Sequence, residues 1–311
     1  MMGVQETAES IRSMEVRGAG RIAVHAARAL RDLAEGYQGR DPEELRSLLR
    51  EGGQTLLDSR PTAVALWNGV HAVTRGLDGP SSVDGIRELI AGNAEGFIRR
   101  AEEAKERIGR IGGRRLRDGD RVLTHCNSSV ALSVIKSAHQ SGKDIEVYAT
   151  ESRPWRQGLI TIEELSKEGI STTFIVDSAV RLVMKEVDAV LVGADTVASN
   201  GAVINKIGTS QIALVAHETR VPFMVCTETF KFSPHTLEGE LVDIEERDPG
   251  EVLDGGQVPD GVRIWNPVFD ATPPEYIDSI VTEIGVIPPF AAYEVIVRQL
   301  GQEFIFENDR A

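Results

Sequence analysis

The stretch that decides the fold of this chain is V-G-A-D-T-V-A-S-N-G-A-V-I-N-K, from Val192 to Lys206. It continues an apolar run, Asp188 to Val192, that is typical of a buried strand. Asp195 comes directly after this run, and Asn205 and Lys206 follow ten residues later. A carboxylate among glycines at the carboxyl end of a strand, near an amide and an ammonium group, predicts a site for a small anionic substrate.

A second segment, T-H-C-N-S-S from Thr124 to Ser129, has the same layout. A predicted strand leads into Cys126 and then into a predicted helix. The free N–H groups and the dipole at the start of that helix are expected to bind an anion and to lower the pKa of the Cys126 thiol. An acid and a thiol at neighbouring strand ends predict a proton-transfer site, although position alone leaves open that Cys126 is a buried structural cysteine. The residues with these N–H groups are Ser128, Ser129 and Val130.

Short β-type runs alternate with helical segments after Asp120, which predicts an α/β fold class with a mostly parallel, covered sheet. The predicted strands are Arg121–Thr124, Glu146–Thr150, Thr172–Val176, Ala189–Val192 and Pro222–Cys226. The residues before Asp120 have helical periodicity, and Asp41 is a good N-cap before Pro42. The glycine- and arginine-rich segment from Gly109 to Gly119 is typical of a hinge. We therefore predict a helical N-terminal domain over residues 1–118 and a second domain over residues 119–311.

The composition excludes several classes of function. The formal net charge is −14, with 7 lysines against 27 arginines, which argues against nucleic acid as a ligand. No apolar run approaches the ~20 residues of a membrane span, so no membrane partner is expected. Two cysteines, Cys126 and Cys226, indicate a reducing cytosol rather than a disulfide framework. The six histidines are scattered and form no metal-binding motif, so we predict no metal and no cofactor.

The acidic, lysine-poor composition suits a salt-rich cytosol, where charge screening is strong. An ordinary acidic protein with GC-rich coding bias is the alternative. In either case a phosphate group on the substrate needs a locally basic pocket inside an acidic shell.

Several basic residues at predicted helix starts and strand ends are candidates for binding phosphate. The run Arg17, Gly18, Ala19, Gly20 precedes a helix and can form a nest of backbone N–H groups beside a guanidinium. Arg60 stands just before another helix start, and Lys231 follows a predicted strand. Each has an ordinary alternative, because G-x-G occurs by chance, helix starts are often surface turns, and an isolated lysine is usually solvated. Asn205 and Lys206, with Gly208 and Thr209 beyond them, could cradle a phosphate or sugar hydroxyls.

Seven motifs in fixed order resemble one family over nearly the whole chain. This family contains methylthioribose-1-phosphate isomerases, ribose-1,5-bisphosphate isomerases and the regulatory subunits of translation initiation factor 2B. The resemblance implies a helical N-terminal domain joined to a Rossmann-like catalytic domain. The motifs are R-G-A-G at 17–20, S-R-P-T-A at 59–63, T-H-C-N-S at 124–128, E-S-R-P-x-x-Q-G at 151–158, G-A-D…N-G…N-K-I-G-T at 193–209, T-E-T-F-K-F at 227–232 and N-P-V-F-D-A-T-P-P-E-Y-I at 266–277.

Within this family the residues most resemble the archaeal bisphosphate isomerases. The catalytic cysteine and aspartate of the isomerases fall on Cys126 and Asp195, which the regulatory subunits generally lack. The methylthioribose enzymes usually continue the first motif as R-G-A-P, whereas this chain has Gly20 and Arg21. The resemblance implies a sugar bisphosphate substrate, activation by AMP and a place in archaeal nucleotide salvage. It also implies a homo-oligomer built from dimers, as in the hexamers of the bisphosphate isomerases. A methylthioribose-1-phosphate isomerase and a non-catalytic regulatory subunit stay open as alternatives.

Overall fold

The structure is a computed structural model that describes residues 3–234, 236, 239, 244–253, 256 and 258–300. The chain divides into two compact units, Met1–Glu103 and Ala104–Ala311. This division falls inside a long helix, α5 (Val83–Gly113), upstream of the boundary predicted at residue 118. Within the described ranges, every helix is too short or too polar to cross a membrane.

The N-terminal unit is helical because its apolar residues recur at helical spacing and bury one face of each helix. Asp41 accepts a hydrogen bond from the Glu43 N–H at 2.9 Å, and Pro42 is the first helical residue, so the predicted N-cap is confirmed. The helices are α1 (Val4–Arg12), α2 (Ala19–Gly36), α3 (Pro42–Ser59), α4 (Val64–Thr74) and the first part of α5. Their fully buried core side chains include Ile11, Ile22, Leu30, Leu45, Leu49, Leu56, Leu66, Ile86 and Ile90.

The C-terminal unit is built on a seven-stranded sheet with the order β10-β9-β7-β4-β1-β2-β3. All neighbouring strands are parallel except β10, which pairs antiparallel with β9 at one edge. Helices cover both faces, as a parallel sheet requires. Its strands are β1 (Arg121–Thr124), β2 (Glu146–Thr150), β3 (Ser171–Ile175), β4 (Ala189–Val192), β7 (Phe223–Cys226), β9 (Ser279–Thr282) and β10 (Gly285–Ile287). Its helices are α6 (Ser129–Gln140), α7 (Gly158–Lys167), α8 (Val180–Val183), α9 (Thr209–Thr219), α10 (Gly250–Leu253) and α11 (Ala292–Leu300).

A second, smaller sheet was not predicted from the sequence. It is antiparallel and has the order β5-β6-β8. Its first two strands form a hairpin that turns at Gly201, whose φ of 90° favours glycine. This hairpin returns the chain from Asp195 to Lys206, so both ends of the fold-deciding stretch lie beside each other. The strands are β5 (Thr196–Val197), β6 (Val203–Lys206) and β8 (Phe269–Thr272).

The predicted α/β class and mostly parallel sheet are confirmed, and the predicted bounds of β1, β2 and β4 match the structure. The predicted hinge is wrong, because Gly109 and Gly112 lie in the last turns of α5. These glycines allow α5 to approach α6 closely. A Cβ at position 112 would lie 2.6 Å from Val134 Cγ2, and one at position 109 would lie 2.3 Å from Ser133 Oγ.

Replacing two glycines of α5 by alanine is therefore predicted to have opposite effects on stability. Gly112→Ala should lower the free energy of unfolding by about 1–3 kcal/mol, because its methyl group overpacks against Val134. Gly92→Ala on the same helix should raise it by about 0.5–1 kcal/mol, because position 92 is exposed with open space around it. Urea unfolding followed by circular dichroism measures both. Equal effects of the two substitutions would show that close packing does not explain Gly112.

Candidate active site

The candidate site lies at the carboxyl ends of β1 and β4, the central pair of the large sheet. Leu123 pairs with Val190 and Thr124 with Leu191. Strand order reverses here, because β2 and β3 extend the sheet on one side while β4, β7 and β9 extend it on the other. In open parallel sheets, ligands bind in the crevice at such a switch point. Cys126 follows β1 and Asp195 follows β4, so the topology places the thiol and the carboxyl group at this crevice.

The backbone of Cys126 is held by hydroxyl groups on both sides. Its φ is 66°, a left-handed conformation that is uncommon outside glycine. Its N–H donates to Ser152 Oγ at 2.7 Å, and its carbonyl accepts from Thr161 Oγ1 at 2.8 Å. Ser152 is itself left-handed, and its N–H donates to Asp177 Oδ1 at 2.7 Å. The loops after β2 and β3 thus fix the turn that carries the cysteine.

Helix α6 begins three residues after Cys126, with Ser128 as its N-cap. Ser128 Oγ accepts a hydrogen bond from the Ala131 N–H at 3.3 Å. Gly193 packs against this cap, since a Cβ there would lie 2.4 Å from Ser128 Oγ. The first turn of α6, with Ser129 and Val130, therefore stands directly behind the cysteine, as predicted from the sequence. Its role in binding an anion stays a prediction.

Lys206 is a buried cation in this crevice. It is 6% exposed, and its Nζ lies 5.4 Å from the centroid of the Phe269 ring. Among the described residues, Lys206 forms no ion pair with a carboxylate. Burial lowers its pKa, and the charges of Cys126 and Asp195 oppose that shift. An ammonium group held this way is available to a substrate anion or to a thiolate.

Asn205 and the start of α9 already have hydrogen-bond partners within the chain. The Asn205 side chain donates to Thr209 Oγ1 at 3.0 Å, so it stabilises the turn. Asp270 accepts hydrogen bonds from the N–H groups of Gly208 at 2.8 Å and Ser210 at 3.1 Å. Burial raises the pKa of Asp270 to about 6. Because this carboxyl group already occupies the N-terminus of α9, a phosphate at that helix end would compete with it. The cradle of Asn205 and Lys206, with Gly208 and Thr209, for a phosphate or sugar hydroxyls stays a prediction.

The lowered pKa that the sequence predicted for the Cys126 thiol is wrong. Burial raises the pKa of its thiol to about 11, although the nearby Lys206 charge opposes the rise. The charges of Asp195 and Asp177 add to it. Desolvation outweighs the helix N-terminus behind the residue, even though Cys126 as a whole is only half-buried. In the free protein Cys126 is therefore a thiol at neutral pH.

Lys231 lies near the carboxyl end of β7 in a buried ion pair. Its Nζ is 2.9 Å from Glu228 Oε2, and both side chains are less than a tenth exposed. Because Glu228 neutralises it, Lys231 brings less net positive charge to a ligand than the sequence suggested. A role in binding phosphate stays a prediction.

The remaining predicted residues lie in the N-terminal unit. Gly18, with φ 86°, is the N-cap of α2, and Ala19 and Gly20 form its first turn. The exposed Arg17 donates from Nε to the Met14 carbonyl at 2.8 Å. Arg60 is the half-buried C-cap of α3, and the next helix, α4, begins four residues later at Val64. Their contribution to binding stays a prediction.

Of the groups that support the site, Asp177 gave no sequence signal beyond its place near a strand end. His125 and Asp270 lie in the motifs at 124–128 and 266–277, but their hydrogen-bond partners could not be predicted, because these partners are distant in sequence. Gln157 precedes α7, and its Oε1 is buried with no hydrogen-bond partner among the described residues. An unpaired buried acceptor of this kind can receive a hydrogen bond from a ligand hydroxyl. In the part of the chain that the structure describes, no cluster of three or more histidine, cysteine or acidic side chains could hold a metal ion.

Comparison with known proteins places the chain in a family. Residues 15–289 match the initiation factor 2 subunit family. The chain belongs to this family. A ribose 1,5-bisphosphate isomerase of Archaeoglobus fulgidus is 54% identical over 99% of the chain and 97% of its own length. One of Methanocaldococcus jannaschii is 49% identical over 96% of each protein. The crystal structure of Pyrococcus horikoshii translation initiation factor eIF-2B has a TM-score of 0.79 at 34% identity, covering 92% of this chain and 97% of that one.

The raised thiol pKa in this member of the initiation factor 2 subunit family predicts slow alkylation. The rate with iodoacetamide should climb with pH and reach no plateau below pH ~10, whereas an ordinary thiol of pKa ~8.5 levels off earlier. Mass spectrometry should find the label on Cys126, because Cys226 is fully buried and its pKa is raised further. Cys126→Ser is the control and should abolish labelling of the folded protein. A plateau near pH 7 would contradict the assignment of a desolvated thiol.

Proposed function

We propose that this chain is a ribose-1,5-bisphosphate isomerase, which converts ribose 1,5-bisphosphate to ribulose 1,5-bisphosphate. One observation carries the proposal. Cys126 and Asp195 follow two directly paired strands at the switch point of the sheet, in a chain whose relatives over nearly the full length have this activity in their names. The pair supplies a thiol and a carboxyl group to one crevice, which suits an aldose–ketose proton transfer.

The proposed mechanism begins with the ring oxygen. Because C1 carries a phosphate, the sugar ring does not open spontaneously to a free aldehyde. Asp195 protonates the ring oxygen and the Cys126 thiolate removes the proton from C2. The bond between C1 and the ring oxygen breaks as the C1–C2 double bond of an enediol-type intermediate forms, and the ring oxygen becomes the C4 hydroxyl. The thiol then returns a proton to C1, and Asp195 accepts the proton of the C2 hydroxyl as the ketone forms. General acid or base catalysis of this kind typically raises the reaction rate by about 10²–10⁴-fold for each group.

The raised pKa of Cys126 adds a requirement to this mechanism. The reaction needs Cys126 as a thiolate and Asp195 as a carboxylic acid, yet burial favours the thiol. Lys206 favours the thiolate, because its charge lowers the pKa of Cys126.

Two phosphate groups bring about three to four negative charges to a protein of net charge −14. We propose that Arg17, Arg60, Lys206 and Lys231 offset them, together with the N–H groups at Gly18–Gly20 and at the start of α6. Gln157 Oε1 accepts a hydrogen bond from a sugar hydroxyl in this arrangement.

The decisive experiment incubates the purified protein with ribose 1,5-bisphosphate, with and without AMP, and measures ribulose 1,5-bisphosphate. Methylthioribose 1-phosphate is tested in parallel. We expect turnover of the bisphosphate, stimulated by AMP. Turnover of only the sulfur sugar would replace the proposal with the methylthioribose enzyme. No turnover of either sugar by folded protein would favour a regulatory subunit.

Substitution of the catalytic pair tests the mechanism. Cys126→Ser and Asp195→Asn should each lower kcat by ~10²–10⁴-fold while binding of ribose 1,5-bisphosphate, measured by calorimetry, is retained. The double variant should lose little more than the worse single variant, because the two groups act as one unit. Normal turnover by Cys126→Ser would remove the cysteine from the mechanism.

Substitution of Arg60 tests whether the N-terminal unit contributes to substrate binding. Arg60→Ala should weaken substrate binding by about 2–5 kcal/mol if its guanidinium pairs with a buried phosphate. Arg50→Ala is the matched control, because Arg50 lies on the same helix and pairs with the exposed Asp78. Unchanged affinity of the Arg60 variant would argue against its assigned role.

We further propose a cytoplasmic homo-oligomer built from dimers, such as a hexamer, that acts in archaeal nucleotide salvage in a salt-rich cell. Exposed apolar side chains on α7 and β3, including Leu159, Ile160 and Phe174, support self-association. Light scattering in low and high potassium chloride measures the assembly and its dependence on salt.

A further inference from the structure

His125 is a fully buried imidazole between the two sheets of the C-terminal unit. It is 1% exposed and directly precedes Cys126. Its Nε2 lies 2.8 Å from the Ile207 carbonyl oxygen, and its Nδ1 lies 2.6 Å from Thr150 Oγ1. A carbonyl only accepts, so Nε2 carries the hydrogen and Nδ1 accepts from the threonine hydroxyl. The geometry therefore selects the neutral ring with its proton on Nε2.

The partners of His125 connect three segments of the candidate site. On one side, Thr150 Oγ1 lies 3.2 Å from Ser152 Oγ, which receives the N–H of Cys126. On the other side, Ile207 directly follows Lys206 at the end of β6. Gly208 comes next, and a Cβ there would lie 3.3 Å from the imidazole ring. His125 thus links the cysteine turn of the large sheet to the lysine strand of the small sheet.

Charged groups around the ring agree with the neutral form. Burial is the main cause that lowers the pKa of His125, and the Lys206 charge acts in the same direction. Asp177 Oδ1 lies 3.9 Å from Nδ1 and opposes the shift, but its carboxylate already accepts the N–H groups of Ser152 and Arg153. Because the Nε2 proton points at a carbonyl that cannot pass it on, the ring is not a proton relay.

We infer that His125 is a positioning residue that holds Lys206 against the Cys126 turn through its Nε2–H···O=C bond to Ile207. For catalysis this inference rests on the proposed isomerase function. The geometric claim does not, because the link between the two sheets concerns the reactivity of the thiol with any electrophile. The function of the link is to keep a buried cation at a fixed separation from a thiol that burial otherwise keeps protonated.

A pair of substitutions separates the two ends of the ring. In His125→Gln an amide N–H can reach the position of Nε2 and keep the bond to Ile207. In His125→Asn the amide is too short for Ile207 but stays near Thr150. We expect His125→Asn to slow alkylation of Cys126 at fixed pH by ~3–10-fold, since one pKa unit changes the thiolate fraction tenfold, and His125→Gln to restore most of the rate.

A double-mutant cycle then tests whether His125 acts through Lys206. Lys206→Gln should slow alkylation in the same way, and His125→Asn should add little to it, because coupled residues are not additive. His139→Asn, on the half-buried histidine near the end of α6, is the matched control and should leave the rate unchanged. Additive effects, equal rates for the Gln and Asn variants, or faster alkylation in His125→Asn would overturn the inference.

Two further measurements keep the test independent of folding and of the substrate. Nitrogen-15 spectra of histidine-labelled protein at neutral pH should show His125 as the neutral ring protonated on Nε2, and an imidazolium would overturn the inference. If His125→Asn does not fold, Thr150→Val removes only the hydroxyl at Nδ1 and should slow alkylation in the same direction.

In the assay with ribose 1,5-bisphosphate, kcat/KM should fall by up to ~10²-fold in His125→Asn. Altered alkylation with no turnover even in the unsubstituted protein would keep the positioning role and reject the isomerase.

Discussion

The parallel pairing of β1 with β4 is the constraint on which the candidate site depends. It places the ends of two distant segments side by side, so that Cys126 and Asp195 share one crevice. The hairpin of β5 and β6 then returns the chain and brings Lys206 to the same place. A register shift of one residue between β1 and β4 would turn alternate side chains to the other face and separate these groups.

Much of the C-terminal unit follows from local sequence. The apolar runs at β1, β2 and β4 alternate with helical segments, which is enough to predict a parallel sheet and to place Cys126 and Asp195 at one edge. The glycines at the end of α5 were predicted to form a hinge. They instead allow close packing against α6, which depends on residues further along the chain. Local composition does not distinguish a glycine in a turn from a glycine at a contact between two helices.

The supporting groups could not be predicted for a related reason. Asp270 binds the start of α9 across 62 residues, and His125 reaches the Ile207 carbonyl across 82. Such contacts depend on how the small sheet packs, and its short strands have no periodic pattern in the sequence. The ion pair of Glu228 and Lys231 is different, because its partners are only three residues apart within one turn, but it was not predicted. An acidic residue at that spacing makes a lysine a poorer candidate for a free phosphate ligand.

Burial has two opposite consequences at this site. It raises the pKa of Cys126 and lowers that of Lys206, and it also leaves the field of a protonated Lys206 weakly screened. A substrate phosphate placed directly on Lys206 would neutralise that field and make the thiolate harder to form. For the proposed isomerase, a substrate phosphate and the Cys126 thiolate therefore compete for the charge of Lys206. The negative charge that develops on the enediol oxygens draws on the same ammonium group, and a buried cation is most effective where such charge develops.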